Sequence, residues 1–278
     1  MVACLAVLSK LERFDLGFAS VPYQTRRPPV TGIQTVLPAL TKFQFLGASE
    51  YLEDLVSRIN SPTLDHIRIE FMNQSADFQA SQLSQFIDRI GPVFRHAEVT
   101  FSDEYTFSMH PQTIRHLFSP NIIIRWKNVN WRVSHVVQAL SQSKMFATLS
   151  NVVHLKLELD RGRDRQLEGS TYNVEWRRFL RQFSNVKTLY VSRKLAPHIS
   201  LVLEETAEGV ATEVLPSLDL IWLGGQRASS IKKFVASRRF ADRRVTVIGI
   251  KKEFIKRIES YDGIFHTSAY SMNNPVRF

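Results

Sequence analysis

Residues 183–191 read Phe-Ser-Asn-Val-Lys-Thr-Leu-Tyr-Val, with apolar side chains at relative positions 0, 3, 6 and 8 (Phe183, Val186, Leu189, Val191). The spacing recurs at Leu8, Leu11, Phe14 and Leu16, and at Leu37, Leu40, Phe43 and Phe45. It returns at Leu149, Val152, Leu155 and Leu157, and at Leu215, Leu218, Ile221 and Leu223. Each copy closes on an alternation such as Leu189-Tyr190-Val191, the pattern of a short strand with one buried face. A recurrence of this kind predicts a stack of similar supersecondary units rather than one closed globule.

Weaker copies fill the gaps. Leu64, Ile67 and Ile69 keep three positions, and Val93, Val99 and Phe101 keep three with His96 in the second slot. Asn121-Ile122-Ile123-Ile124 reads as a strand buried on both faces, and Thr246-Val247-Ile248 as the last strand. Strand ends at 16, 45, 69, 101, 124, 157, 191, 223 and 248 give steps of 23–34 residues, around the period of leucine-rich repeats. Between them, helical faces are predicted from Leu52, Leu55, Val56 and Ile59, and from Phe78, Leu83, Phe86, Ile87 and Ile90 before Gly91-Pro92. Further faces come from Val133, Val136, Val137 and Leu140, and from Val174, Trp176, Phe179, Leu180 and Phe183. The last two come from Ile199, Val202 and Leu203, and from Ile231, Phe234 and Val235. The expected fold class is α/β: an irregular leucine-rich-repeat-like solenoid, with parallel strands on the concave side and helices on the convex side. Residues 1–278 are expected to form a single domain, because the loops at 20–32 and 160–173 are too short to mark a boundary.

The chain has 278 residues, 44% of them apolar, and one cysteine. Cys4 alone excludes an internal disulfide and a cysteine-only metal cluster, and reads as a small buried hydrophobe. Low cysteine use predicts an intracellular protein, cytoplasmic or nuclear. No apolar run reaches the roughly 18–20 residues that cross a bilayer, so no membrane association is expected. The net charge of +10 is concentrated. From residue 226 onward there are twelve basic residues against four acids, which marks 226–278 as a basic capping segment.

Three stretches carry a family resemblance: VLPALTKFQFLGASEYLEDLVSRINSPTLDHIRIEF (36–71), FLRQFSNVKTLYVSRKLAPHISLVLEE (179–205), and VLPSLDLIWLGG with SSIKKFVASRRFADRRVTVI (within 214–248). They resemble the leucine-rich-repeat-like substrate arms of F-box proteins of mushroom-forming fungi. The resemblance implies a non-catalytic recognition arm of a cullin-RING ubiquitin ligase, whose protein partner would be a ubiquitylation substrate. Two departures stand out. The positions where the conventional repeat ladders asparagines hold Ala19, Ala48, Met72, Asp160, Lys194 and Gln226, which predicts an irregular arc. The F-box, with its Leu-Pro-x-Glu start, is not found within 1–278, so adaptor binding is not carried over and the chain is expected to be the recognition arm alone.

No Gly-x-x-x-x-Gly-Lys-Ser/Thr, Gly-x-Gly-x-x-Gly, Gly-x-Ser-x-Gly or His-Glu-x-x-His pattern is present, and no enzyme activity, cofactor or metal is expected. Gly224-Gly225 reads as a tight strand-to-helix turn. His110 and His116, six apart with Pro111 between them, fit metal-ligand spacing poorly. The strand residues between the buried ones should line the inner face: Arg13, Asp15, Lys42, Gln44, His66, Arg68, His154, Lys156, Thr188, Tyr190, Leu220 and Trp222. Arg, Tyr and Trp dominate binding energy at interfaces. Arg68, His154, Lys156, Tyr190 and Trp222 are therefore the candidate partner-binding residues. The alternative is a polyanion- or nucleic-acid-binding surface on the basic end, through Lys232, Lys233, Arg238, Arg239, Arg243 and Arg244. No base-reading motif accompanies it, so that attraction would be non-specific.

Overall fold

The computed structural model describes residues 8–18, 34–72, 81–90, 93–102, 104–111, 121–127, 133–142, 147–159, 171–205, 214–224, 231–240 and 244–250. Cys4, His116, Arg243, the loop at 20–32 and most of the loop at 160–173 lie outside them.

The 0-3-6-8 spacing has a backbone cause. The carbonyl at position 0 accepts the N–H at position 3, and so turns the chain just before the strand. These bonds are Leu11 N to Leu8 O (3.0 Å), Leu40 N to Leu37 O (3.3 Å), Val152 N to Leu149 O (3.2 Å), Val186 N to Phe183 O (3.5 Å) and Leu218 N to Leu215 O (3.2 Å). The weaker copy makes the same turn, Leu64 N to Ser61 O (3.3 Å), with a serine at position 0. Positions 6 and 8 then fall on alternate residues of a strand and point to one face. Five such strands are β1 (Arg13–Gly17), β3 (Lys42–Gly47), β5 (His66–Met72), β9 (His154–Leu159) and β10 (Thr188–Val191); β11 (Leu220–Gly224) is the sixth. A seventh parallel strand, β12 (Thr246–Ile250), follows β11.

Crossover helices connect them: α1 (Ser49–Arg58), α2 (Ser81–Ile90), α3 (Val133–Gln142), α4 (Thr171–Leu180), α5 (Ala196–Glu205) and α6 (Lys232–Phe240). The helical periodicities fall on all six, although Phe183 lies past the end of α4 and Phe78 lies outside the described residues. Ile59, read as helical, instead begins β4 (Ile59–Asn60), which pairs in parallel with β2 (Thr35–Val36) in a separate small sheet. Val174, placed on a buried face, is half exposed, while Trp176 and Phe179 of the same helix are fully buried.

The main sheet has ten strands in the order β1-β3-β5-β8-β7-β6-β9-β10-β11-β12, with β1 and β12 at its edges among the described residues, and is largely parallel. Its centre departs from a simple progression. Between β6 (His96–Phe101) and β8 (Asn121–Lys127) lies a strand absent from the sequence reading, β7 (Tyr105–His110). β7 runs antiparallel to both neighbours. The reason is length: three residues separate β6 from β7, enough for a hairpin and far too few for a parallel crossover. The Ser102 hydroxyl closes that turn on the Glu104 carbonyl (2.6 Å). Asn121–Ile124 is correspondingly corrected: Ile122 and Ile124 are buried, but Ile123 is only half-buried on the opposite face.

Alternate strand residues and the inward helix faces form one core extending from Leu37 to Val247. Aromatic contacts tie the layers together, as in Phe14–Phe43–Phe86 (5.9 and 6.1 Å between centroids) and Phe101–Trp176–Phe179–Phe183 (5.7, 5.9 and 5.0 Å). Gly224 ends β11 against its neighbour's backbone. A Cβ there would meet the Arg193 nitrogen at 2.8 Å, which accounts for the glycine as a close approach.

Helix ends are satisfied by the adjacent helix. Glu53 of α1 accepts Gln82 N (2.7 Å) and Leu83 N (2.9 Å) at the start of α2, supplying a cap from outside the helix. Arg89 of α2 returns a bond to Val56 O near the end of α1 (2.9 Å), and Gln182 donates to Leu140 O and Ser141 O of α3 (3.1 and 3.3 Å). Replacing Glu53 with Ala orphans two helix-start N–H groups. The expected loss is about 1–2 kcal/mol, read as a lower urea midpoint at unchanged slope.

Candidate functional site

The helices cover one face of the sheet, and residues of the opposite parity line the other. Register connects one from every strand into a single row: Asp15, Gln44, Arg68, Ile123, Ser108, Glu98, Lys156, Tyr190, Trp222 and Ile248. Four of the five residues singled out as partner-binding therefore share one row. Lys156, Tyr190 and Trp222 are consecutive, while Arg68 stands four strands from Lys156, about 19 Å at ordinary strand spacing. His154 lies in the adjoining row.

Their environments differ. Lys156 is held between Glu98 (3.0 Å) and Glu158 (2.8 Å), with its ammonium 5.8 Å from the centre of the Tyr190 ring. Burial opposes its charge, but the two carboxylates outweigh it and push the lysine pKa up. Lys156 is thus the centre of an internal ion network. Tyr190 is 5% exposed and Trp222 half-buried, so the indole is the more accessible ring of the pair. With Leu220 and Ile248, both half-buried, it makes the β11–β12 end of this face apolar.

Arg68 belongs to a second network. Its Nε and NH2 donate to Glu70 Oε1 (2.8 and 2.6 Å). Arg125 NH1 approaches the same oxygen (3.5 Å), and Lys127 Nζ reaches Glu70 Oε2 (2.8 Å) and Glu104 (3.6 Å). Burial alone would raise the Glu70 pKa; bonds from Lys127 and Arg68, and their charges, hold it below the ordinary value.

His154 stacks on His96 (4.6 Å between centroids, 16° between planes), and His96 faces His110 across β6 and β7. Burial, together with the two neighbouring imidazoles, pushes His96 down to about 4. Burial also lowers His110, against the pull of Glu98, and lowers His154. The His110 ring nitrogen Nε2 lies 3.2 Å from the Ser108 hydroxyl. Among the described residues, no group of His, Cys, Asp or Glu is arranged to hold a metal ion. No helix among them is long and apolar enough to cross a membrane.

No family model, curated protein or solved structure matches the chain.

The basic end is rearranged by packing. Lys232, Lys233 and Arg244 are exposed, whereas Arg238 is 3% exposed and turned inward. Its NH2 donates to Val214 O (2.6 Å) and Leu215 O (2.9 Å), its NH1 to Pro216 O (3.2 Å), and its guanidinium lies 5.0 Å from the Phe234 ring centre. These bonds brace a turn in which Leu215 adopts φ +52°, unusual for a residue with a Cβ. Arg238 therefore leaves the candidate polyanion patch for a structural post. Arg243 and the side chain of Arg239 lie outside the described residues.

Glu70, Glu98, Arg125 and Lys127 escaped the sequence reading, which took His96 only as a slot of a weak copy and His110 only as a poor metal ligand. The alternation in Tyr105-Thr-Phe-Ser-Met-His110 is a strand signal that would have revealed β7 and hence these neighbours.

Arg238→Met is expected to cost about 2–4 kcal/mol by leaving buried carbonyls without a donor, measured by chemical denaturation. The histidines predict acid sensitivity. The unfolded chain takes a proton on His96 near pH 6.5, while the folded chain resists it down to about 4. The stability present above pH 6.5 is lost progressively as pH falls towards the folded value. A melting temperature that falls over this interval, and falls less in His96→Gln, is the expected result.

Proposed function

We propose that this chain is a non-catalytic protein-interaction module whose open sheet face receives a protein partner. In this reading it is an irregular leucine-rich-repeat-like solenoid, similar to the substrate-recognition arm of an F-box subunit of a cullin-RING ubiquitin ligase and working inside the cell. The observation that carries it is the row crossing all ten strands, which runs from charged residues at Arg68 to the aromatic and apolar end at Trp222 and Ile248. A half-buried tryptophan beside a braced tyrosine and a held lysine is a rigid anchor of the kind that dominates interface energy. The repeated turn and parallel strand unit supports the solenoid reading, although the antiparallel β7 makes the array irregular.

The alternative, a polyanion-binding surface at the basic end, is weakened by the inward turn of Arg238, which leaves Lys232, Lys233 and Arg244 as its exposed cations among the described residues.

Affinity capture with quantitative mass spectrometry separates the two. Trp222→Ala, with circular dichroism and melting temperature unchanged, is expected to abolish capture of the specific protein partner. Lys232→Gln/Lys233→Gln and nuclease treatment should leave capture intact. The opposite pattern overturns the proposal in favour of the basic end, and co-capture of cullin-ligase subunits tests the ligase assignment.

A further inference from the structure

The open face is electrostatically divided. Around β3, β5 and β8 stand Lys42, Arg68, Arg125 and Lys127 against the carboxylates of Glu70 and Glu104, a surplus of two positive charges. Around β6 and β9, Lys156 stands against Glu98 and Glu158, a surplus of one negative charge. His66, next to Lys42 in register, adds a further exposed ring on the positive side.

The positive side has an organising centre. Glu70, its side chain 11% exposed, accepts from Arg68 and Lys127 and lies at ion-pair distance (3.5 Å) from Arg125. Those three side chains remain 46%, 30% and 27% exposed. A carboxylate offers about four lone-pair sites, whereas two guanidiniums and an ammonium bring thirteen N–H donors. Glu70 therefore gathers the three cations without using up their donors, and cancels only one of their three charges. Fixing them in advance removes much of the side-chain ordering cost that a flexible basic patch incurs when it binds.

We propose that Arg68, Arg125 and Lys127, gathered around Glu70, are the docking site for an acidic segment of the partner protein, whose Asp or Glu carboxylate sits on the outward N–H donors of the cluster. This rests on the reading of the open face as a protein-binding surface and names the chemistry it recognises. The charge division favours a protein segment over a nucleic acid. A uniform polyanion lying along the face would pass from Arg125 to Glu98 and Glu158, where like charges oppose it. A polypeptide can place acids over β5 and β8 and apolar side chains over Tyr190 and Trp222.

The test uses the full chain and a fluorescently labelled oligoglutamate peptide, with binding followed by anisotropy at low and moderate salt. The wild type should bind the peptide in a salt-sensitive manner, and Arg125→Gln/Lys127→Gln should bind about tenfold more weakly. Arg68→Gln, at the most exposed of the three positions, should weaken binding in the same direction and provides a second variant if the double one does not fold. Lys232→Gln/Lys233→Gln removes the same formal charge elsewhere and should leave peptide binding unchanged; equal weakening there would mean attraction to net charge and would overturn the proposal. Tighter binding of a single-stranded oligonucleotide, lost in the cluster variants, would also overturn it. If the cluster variants bind the peptide normally while Trp222→Ala still abolishes partner capture, the docking site falls and the interaction face stands. If neither has an effect, both fall.

Discussion

The fold depends on one shared carbonyl at the start of each of five parallel strands, β3, β5, β9, β10 and β11. The residue following position 3 offers its oxygen to two successive N–H groups of the next unit: Glu12 to Thr41 and Lys42, Thr41 to Asp65 and His66, Val153 to Lys187 and Thr188, and Lys187 to Asp219 and Leu220. Arg95 does the same for Val153 and His154. With the turn just before it, this bond sets the register of each strand against the last. A slip of one residue would send every core side chain to the open face, so the hydrophobic contacts and the backbone bonds enforce the same alignment. The arrangement requires no side chain of a particular type, which explains how successive strands align without one polar residue type repeated at the strand end.

Register also composes the open face. The parallel strands start in step, so residues of equal rank in different units become neighbours, and Lys156, Tyr190 and Trp222 meet although more than thirty positions separate each from the next. The two ion networks follow from the same alignment. Glu70 lies opposite Arg125, and Glu98 opposite Lys156, because the backbone places them there. The pairing of opposite charges across strands lets a half-buried face carry ionised groups at acceptable cost.

The strands β1, β3, β5, β9, β10 and β11 were legible in the sequence because turn and strand share one apolar spacing, and the six helices because their faces are amphipathic. The centre was not. In β6 the register puts Phe94 at position 3 and Ala97 and Val99 at positions 6 and 8, two residues earlier than the Val93, His96, Val99 and Phe101 read from the sequence. Val93 is exposed, and an alanine at position 6 weakens the apolar signature where the topology changes. In β7, Tyr105, Phe107 and Met109 alternate as a strand should, but without the preceding turn that marked the others. The inward turn of Arg238 was equally hidden. An arginine amid other basic residues reads as solvated until the carbonyls of Val214, Leu215 and Pro216 are seen to need a donor.

The reversed strand has a consequence for how such a chain lengthens or shortens over time. Elsewhere, strand partners lie 24 to 34 residues apart, as in Lys42 with His66 and His154 with Thr188, so a unit is nearly self-contained. Across the centre, His66 meets Asn121 and His96 meets His154, separations of 55 and 58 residues interlocked through β7. Duplicating or deleting a unit near either edge would leave the remaining alignments intact. The same event within 66–154 would break both long-range pairings together. The middle is thus held as one block by two long-range pairings through β7, whereas each flanking pairing closes over a shorter stretch of chain.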